Sequence, residues 1–381
     1  MRVLLANIHI NLFFVLGTLY FFLLSVSNII WLRASSRKPK KTIGDKVSVL
    51  IPARDEEDNI GRCLDSLLDQ TYTNYEIIVL DDQSTDDTWR IISDYSRRFP
   101  ELIKAVKGKP LPESGWTGKA HAMQQLAEGA NGEYYLYTDA DTIHTEHSVA
   151  WAVTNVERHR VDFVSGYVYQ ELRTFGERLI IPATYIMTAL ILPLWLIPST
   201  KVPSLSFAIG QLILFKRTAF EAIGGYASVS EYISDDIYVA RELKKAGFRT
   251  IFLDIRKYVS CRMYNGYSES INGISKNIYD FFKHRPTFFA IALTILVLFA
   301  LLPLYLLIVR QLSGNTLLPP TGSSVVLFTL AWAVTLYDRG SKWWVPFLYP
   351  LLFIHLLYMT WRCFGKVAAG RGVVWKGRGV Q

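Results

Sequence analysis

Hydrophobic residues in this chain form either long uncharged runs or short runs separated by polar clusters. Residues 10–32 contain no charged side chain, which is enough for a helix to cross a hydrocarbon core of about 30 Å. The run ends in bulky residues and then in basic ones, without the small residues of a signal-peptide cleavage site, so it predicts a retained membrane anchor. Because basic flanks favour the cytoplasmic side, the soluble region that follows is predicted to be cytoplasmic.

The C-terminal quarter contains further apolar runs. Residues 288–309 and 344–361 are long enough to span a membrane, whereas residues 325–337 are short and are interpreted as re-entrant or interfacial. A basic tail follows and predicts a cytoplasmic C-terminus. The proline-interrupted run at 179–198 is interpreted as a membrane-dipping segment or a lid over an apolar ligand.

Between the long runs, short apolar stretches alternate between predicted strands and predicted helices. Strands are predicted at 47–51, ended by Pro52, and at 75–80, 103–106, 134–138 and 212–215. Helices are predicted from residue 60, from about Asp86 with Ser84 or Thr85 as its cap, and from Lys119. This alternation predicts an α/β fold with an open, largely parallel sheet that binds ligands at the carboxyl ends of its strands.

Two acidic clusters follow predicted strands. Asp81 and Asp82 end one strand, and Asp139 and Asp141 end another. In an extended backbone the last two would leave the same face, and paired carboxylates suit Mg²⁺ or Mn²⁺. The alternative is ordinary turn formation and helix capping, but two such clusters on one edge of a sheet favour a ligand site.

The amino-acid composition adds little information about function. The formal net charge of +8 is explained by the membrane flanks and the tail, and no interleaving of basic and aromatic residues predicts nucleic-acid binding. Three scattered cysteines, Cys63, Cys261 and Cys363, form neither a metal spacing nor a disulfide framework and fit a reducing compartment.

Taken in order, five segments resemble the motifs of family-2 glycosyltransferases. They are Val-Leu-Ile-Pro-Ala-Arg-Asp-Glu-Glu (49–57), Leu-Asp-Asp-Gln-Ser-Thr-Asp (80–86), Gly-Trp-Thr-Gly-Lys-Ala-His-Ala (115–122), Thr-Asp-Ala-Asp (138–141) and Ser-Asp-Asp (234–236). The resemblance covers roughly residues 45–285. Within that family the sequence, including Trp-Lys-Gly-Arg at 375–378, is most similar to membrane-anchored enzymes that glycosylate carotenoid acids, hopanoids or other polyprenyl-derived lipids.

The resemblance implies a GT-A fold, a nucleotide-sugar donor, a divalent metal and inversion at the anomeric carbon. It assigns the donor to a set of residues at the strand ends: Pro52, Arg54 and Glu57 beside the base, Asp81 and Asp82 at base and ribose, Lys119 near the diphosphate, and Asp139 with Asp141 at the metal and diphosphate. A helix start and a lysine both favour an anion, although an exposed lysine is the alternative for Lys119.

The resemblance also assigns the catalytic and acceptor residues. Asp236 is implied as the general base with Asp235 as its neighbour, whereas the alternative is a helix start capped by Ser234. Gly210 and Gln211 resemble the acceptor-side segment, for which a simple turn is the alternative. Arg262 and Tyr264 are candidates for a diphosphate clamp or for the acceptor side, and a structural ion pair is a nearly equal alternative for Arg262.

Three histidines are not assigned to the site. His144 and His147 lack the tight spacing of metal ligands. His355 lies in an apolar run and is interpreted as a polar side chain that is hydrogen-bonded within its own helix. Residues 267–286 carry an apolar stripe, at Ile271, Ile274, Ile278, Phe281 and Phe282, that predicts an interfacial helix or an ordinary packing helix.

The predicted organisation has five parts. These are a membrane anchor and basic flank (1–42), a cytoplasmic catalytic domain (43–266), an interfacial helix (267–286), C-terminal membrane helices (287–364) and a basic tail (365–381). The predicted function is nonprocessive sugar transfer from a nucleotide sugar to a membrane lipid. A processive polysaccharide synthase is the first alternative, disfavoured because the Gln-x-x-Arg-Trp motif of such synthases is missing. A silent scaffold that binds nucleotide sugar or lipid is the second.

Overall fold

The computed structural model describes residues 2–40, 42–314, 321–368, 373–375 and 378–380. Lys41 of the basic flank and Arg371 and Lys376 of the basic tail fall outside this set, as does the side chain of Phe282. The strands are β1 (Val47–Ala53), β2 (Tyr75–Asp81), β3 (Ile103–Lys107), β4 (Tyr134–Tyr137), β5 (Thr142–His144), β6 (Phe163–Tyr167), β7 (Tyr169–Gln170), β8 (Ile213–Lys216), β9 (Thr250–Asp254), β10 (Val259–Cys261), β11 (Val373–Trp375) and β12 (Arg378–Val380).

The α-helices include two that are only six residues long. They are α1 (Arg2–Ser35), α2 (Ile60–Leu68), α3 (Thr88–Arg98), α4 (Gly118–Glu128), α5 (Ser148–His159), α6 (Phe175–Ile180), α7 (Arg217–Ala222), α8 (Asp235–Lys245), α9 (Gly266–His284), α10 (Pro286–Ala300), α11 (Leu302–Ser313), α12 (Gly322–Asp338) and α13 (Tyr349–Ala368). Short 3₁₀ and π turns cover Ile181–Tyr185, Met187–Ile191, Leu194–Ser199, Gly225–Val229 and Val345–Leu348.

A seven-stranded sheet in the order β3-β2-β1-β4-β8-β6-β9 forms the centre of the domain. Neighbouring strands are parallel except where β8 runs antiparallel to both β4 and β6. Helices cover both faces, which explains why the inner strands are hydrophobic throughout rather than alternating. The predicted mostly parallel α/β sheet is confirmed.

Two local predictions were wrong. Pro52 does not end β1, which continues to Ala53. On one side β4 pairs with β1 only as far as Leu50, so beyond that residue no strand lies there to accept a backbone hydrogen bond. A proline, which has no N–H, is therefore tolerated at this position. Helix α3 begins at Thr88 rather than near Asp86, and neither Ser84 nor Thr85 caps it. The Asp86 carboxylate instead accepts a hydrogen bond from the Thr88 N–H at 3.0 Å.

Three helices within the described ranges are long and apolar enough to cross a membrane: Leu5–Ser35, Pro286–Ser313 and Val345–Val367. Helix α12 is shorter and lies along α1 in the same direction, with Phe21 beside Phe328 and Arg33 bonded to Asp338 at 2.8 Å. Asp338 also pairs with Arg256, which follows β9, at 2.9 Å. The run at 325–337 therefore belongs to a single helix, α12, that ends against the α/β domain.

The proline-interrupted run is held against α1. The Asn28 side chain of α1 donates to the carbonyls of Thr188 and Leu192 and accepts from the Leu194 N–H, at 2.8 to 2.9 Å. Ser25 adds a bond to the Ala189 carbonyl at 3.1 Å. Residues 179–199 thus form an apolar wall fixed to α1.

Helix α9 lies between the domain and α13. Three residues of its apolar stripe, Ile271, Ile274 and Ile278, are 4–5% exposed and pack inside the protein. Of the two interpretations, an interfacial helix and an ordinary packing helix, this burial fits the packing helix. Helix α13 runs in the same direction beside it, since His355 bonds to the Tyr267 hydroxyl and Cys363 to the Ser275 carbonyl.

Candidate active site

Both acidic clusters lie at the carboxyl edge of the sheet, where β1 separates β2 from β4. Strand β4 stops at Tyr137, so Asp139 and Asp141 are not joined by an extended backbone as expected. They lie instead in a turn, in which the Asp139 carbonyl accepts bonds from the N–H and hydroxyl of Thr142. The buried Thr138 hydroxyl fixes this turn by donating to the Gln211 carbonyl at 2.8 Å.

Helices α4 and α8 complete the cluster. Thr117 caps α4 by accepting from the Ala120 N–H, and this places Lys119 in the first turn. The Lys119 ammonium donates to Asp139 at 2.6 Å. Asp235 and Asp236 occupy the first turn of α8 and interact electrostatically with both of these groups. We call these five residues, Lys119, Asp139, Asp141, Asp235 and Asp236, the acidic centre.

Gly210 lies at the middle of the acidic centre. Its N–H donates to the Asp236 carboxylate at 2.9 Å. A Cβ atom at this position would lie 3.0 Å from the Lys119 Nζ, 3.7 Å from Asp236 and 3.8 Å from Asp139. The missing side chain therefore leaves a cradle bounded by one cation and two carboxylates, where a small polar group can approach.

Charge is concentrated here with limited access to water, since the Lys119 and Asp139 side chains are 24% and 27% exposed. Burial and the neighbouring Asp139 raise the pKa of Asp141 to about 7, and burial raises the pKa of Asp235 to about 7 against the opposing effect of Lys119. Burial also raises the pKa of Asp236. Burial alone would lower the pKa of Lys119, but Asp139, Asp235 and Asp236 raise it above its ordinary value. Excess negative charge therefore favours a bound cation.

The carboxylates fit a divalent cation only in part. One oxygen of Asp141 is buried and has no hydrogen-bond partner in the structure, and Asp139 lies close by. Among the described residues no group of three or more His, Cys, Asp or Glu side chains could hold a metal alone. Mg²⁺ and Mn²⁺ suit this arrangement, because such ions often take one or two carboxylates and complete their shell with phosphate and water.

The residues predicted to contact the base lie on two loops that bind each other. Arg54 donates to the carbonyls of Asp82 and Gln83 at 2.6 and 3.0 Å. Glu57 accepts from the Asp87 N–H at 2.9 Å. Pro52 lies opposite Leu80 in the sheet, and the Asp81 carboxylate accepts from the Ser84 N–H. These loops form the edge of the site next to the turn that carries Asp139.

The remaining predicted residues lie on the side of α9. The Gln211 side chain is buried between Gln170 and Cys261, and only its neighbour Gly210 reaches the acidic centre. Arg262 forms an ion pair with Glu177 at 2.9 Å, which is the structural alternative considered above. The Tyr264 ring lies across Gly273 of α9 and interacts electrostatically with Asp141 and Lys119.

His144 and His355 make hydrogen bonds to neighbouring residues of the fold. His144 is fully enclosed and bonds to Thr138, Thr142 and Ser148, and burial lowers its pKa to about 3. His355 bonds to the Leu351 carbonyl one turn earlier in its own helix.

One cation was not assigned from the sequence. Lys276 of α9 interacts electrostatically with Lys119, Asp235 and Asp139, and burial, followed by repulsion from Lys119, lowers its pKa to about 8. Lys276 lies outside the apolar stripe that dominates the sequence pattern of α9. Only the folded chain brings α9 to the start of α8.

Residues 48–224 match the family model described as Glycosyl transferase family 2. The putative glycosyltransferase EpsE of Bacillus subtilis is 29% identical over 188 residues, which cover 49% of this chain and 62% of EpsE. The 4,4'-diaponeurosporenoate glycosyltransferase of Staphylococcus aureus is 34% identical over 95 residues, covering 25% of this chain and 24% of that enzyme. The chain thus matches less than two thirds of the length of either curated relative.

One solved structure covers nearly the whole chain. The mannosyltransferase PcManGT from Pyrobaculum calidifontis, in complex with GDP-Man and Mn²⁺, has a TM-score of 0.57 and is 19% identical over 95% of this chain and 98% of PcManGT. At this identity the likeness establishes a shared, GT-A-like fold. The family match assigns a glycosyl transferase family 2 domain to residues 48–224.

Proposed function

We propose that this protein transfers a single sugar, with inversion, from a nucleotide-sugar donor to a lipid at the cytoplasmic face of the membrane. The observation that carries the proposal is the acidic centre itself. Lys119, Asp139 and Asp236 surround the cradle at Gly210, at the strand ends where this fold class binds its ligands, and Asp141 and Asp235 interact electrostatically with them.

The donor is proposed to lie across the strand ends with its diphosphate next to Lys119. A cation in the first turn of a helix attracts an anion both by its own charge and by the helix dipole. In the structure Lys119 is engaged by Asp139, so it is already held at the position where a phosphate group would arrive. The mutually bonded loops after β1 and β2 would contact the nucleoside.

A divalent cation would be held by Asp139 and Asp141. When bound, it would offset the negative charge that develops on the leaving diphosphate. The buried, unsatisfied oxygen of Asp141 supports this role, since a cation would compensate an oxygen that lacks a hydrogen-bond partner.

Asp236 is proposed as the general base. The acceptor oxygen forms a bond to the anomeric carbon while the bond from that carbon to the diphosphate breaks, and the hydroxyl proton passes to the Asp236 carboxylate. The Gly210 N–H orients this carboxylate, and burial raises its pKa toward the working pH, which strengthens it as a base. Attack on the face opposite the leaving group gives inversion.

A lipid acceptor is supported by the surroundings of the acidic centre. The wall at 179–199 is apolar and fixed to α1, and Ile209, beside Gly210, packs in the same hydrophobic cluster as this wall. The staphylococcal relative is named for 4,4'-diaponeurosporenoate, a carotenoid acid. The absence of a Gln-x-x-Arg-Trp motif from the sequence favours transfer of one sugar rather than polymer synthesis.

The test is nucleotide release by the purified protein in detergent, over a panel of nucleotide sugars with lipid extract and Mn²⁺ or Mg²⁺. Release should require both lipid and metal, should stop with EDTA, and should fall at least about 10²-fold in Asp139→Asn. Asp94→Asn is the matched control, because Asp94 lies on the exposed face of α3. Donor binding without release in the wild-type protein, under every lipid condition, would favour the silent scaffold.

A further inference from the structure

Helix α9 carries a polar face besides its apolar stripe. Gly273, Lys276 and Asp280 are spaced i, i+3 and i+7 and therefore lie on one side of the helix. Gly273 contacts the Tyr264 ring, and Lys276 interacts with the acidic centre. Asp280, the third member of this face, is 1% exposed.

Asp280 holds the backbone that leads into the catalytic carboxylates. One carboxylate oxygen accepts from the Ile233 N–H at 3.0 Å, and the other accepts from the Ser234 N–H at 3.1 Å. These amides directly precede Asp235 and Asp236. A single side chain, 46 or 47 residues away in the sequence, thus fixes two consecutive peptide groups next to the proposed base.

Aromatic packing fixes the same segment from both ends. Tyr232 and Tyr238, which bracket the two aspartates, stack with ring centroids 3.7 Å apart. The His284 ring, one turn after Asp280 on α9, lies 4.5 Å from Tyr232. His284 also lies 3.6 Å from the Asp280 carboxylate. The end of α9 and the start of α8 therefore form one packed unit.

We propose that Asp280 is a positioning residue for catalysis, which sets the orientation of Asp235 and Asp236 from α9. The inference rests on the proposed roles of those two aspartates. Asp280 acts through the Ile233 and Ser234 amides and is not assigned a contact with substrate. Because α9 also packs against α10 and α13, the Asp280 carboxylate is one of the contacts that join this part of the chain to the proposed base.

The test compares Asp280→Asn and Asp280→Ala with Glu269→Gln. An asparagine has one acceptor oxygen, so it satisfies one amide and presents an NH₂ group to the other. Glu269 is also a carboxylate on α9, but it accepts from the Asn265 N–H in its own loop. We expect kcat to fall roughly 10- to 100-fold in both Asp280 variants, while the KM for the donor changes by less than about twofold and Glu269→Gln behaves as wild type.

A second readout does not depend on turnover. Hydrogen–deuterium exchange of the peptide covering residues 230–238 should be faster in both Asp280 variants and unchanged in Glu269→Gln. Faster exchange together with an inactive wild-type protein would support the contact and refute the proposed function. Unchanged exchange, or an active wild type whose kcat survives in Asp280→Ala, would overturn the positioning role. An equal loss of donor binding and kcat would also overturn it, by showing a general structural defect.

Discussion

Gly210 shows most clearly how a single residue shapes the acidic centre. Its backbone N–H bonds to the proposed base, and a side chain there would press on the Lys119 ammonium at 3.0 Å. A contact that close forces either Lys119 or the backbone to move, so the position combines a required hydrogen bond with required open space.

We therefore expect Gly210→Ala to lower kcat/KM by roughly 10-fold, because the Lys119 ammonium must shift by a few tenths of an ångström, which is less than the displacement of about 1 Å that costs about 10²-fold. Steady-state nucleotide release measures this. Gly61→Ala is the control, since its Cβ atom would meet only ordinary contacts at 3.8 and 3.9 Å in α2. Activity of Gly210→Ala equal to that of Gly61→Ala would contradict the proposed cradle.

The sequence predicted the individual carboxylates of the candidate site, because each follows a recognisable strand or begins a helix. It did not predict Lys276 or Asp280, because their side chains interact with residues about 40 positions or more away. It also left the partner of Arg262 open, since Glu177 lies 85 residues earlier in the chain. Local patterns contain no information on such pairings.

At the scale of elements, Glu177 joins α6 to the loop before α9. Its buried carboxylate accepts from the N–H groups of Arg173, Thr174 and Gly266 and from the Arg262 guanidinium, at 2.5 to 3.2 Å. Burial alone would raise the pKa of Glu177, but these donors lower it to about 2. The carboxylate is therefore stabilising in its ionised form.

We expect Glu177→Gln to lower the free energy of unfolding at pH 7 by about 3 kcal/mol, as for a buried ion pair that loses one partner. A folded-state pKa below the ordinary value of 4.5 means that this stabilisation is present above pH 4.5 and is lost as the pH falls toward 2. Thermal unfolding of the two proteins should therefore converge in acid. Glu171→Gln, which removes a largely exposed ion pair with Arg173, should cost less than about 1 kcal/mol. A pH-independent gap for Glu177→Gln would contradict the assignment.

The apolar wall depends on Asn28 in a similar way. Asn28→Leu leaves the Thr188 and Leu192 carbonyls and the Leu194 N–H without this partner, so residues 187–194 should exchange hydrogen faster. Ser27→Ala is the control, because Ser27 bonds only to the Leu24 carbonyl of its own helix. If the wall contacts the acceptor, the KM for lipid should rise in Asn28→Leu while the KM for the donor stays the same. Unchanged exchange would show that the wall is held by packing alone.

At the scale of the whole molecule, the link between α12 and the domain bears on membrane topology. Asp338 pairs with Arg33 at the end of α1 and with Arg256 of the domain, so the chain has returned to the domain side by that residue. The apolar runs predicted the three helices that are long and apolar enough to cross a membrane. The packing of α12 along α1 is a tertiary feature, which the length of the run at 325–337 does not predict.

We propose that the domain and residues 339–344 lie on the same, cytoplasmic side of the membrane. Lys342→Cys should then be labelled by an impermeant maleimide from the same side as Ser114→Cys in the catalytic domain. The background should be low, because all three native cysteines are buried. Labelling of the two positions from opposite sides would contradict this topology.

Transfer of labelled sugar into extractable lipid tests the central claim most directly. The wild-type protein, Asp236→Asn and the surface control Asp94→Asn would be compared with the donor identified by nucleotide release, in membranes that contain native lipid. We predict one added sugar with inverted anomeric configuration for the wild type and Asp94→Asn, and at least about a 10²-fold loss for Asp236→Asn. Full transfer by Asp236→Asn would refute the assigned base. A soluble polymer in place of a glycosylated lipid would contradict the proposed function.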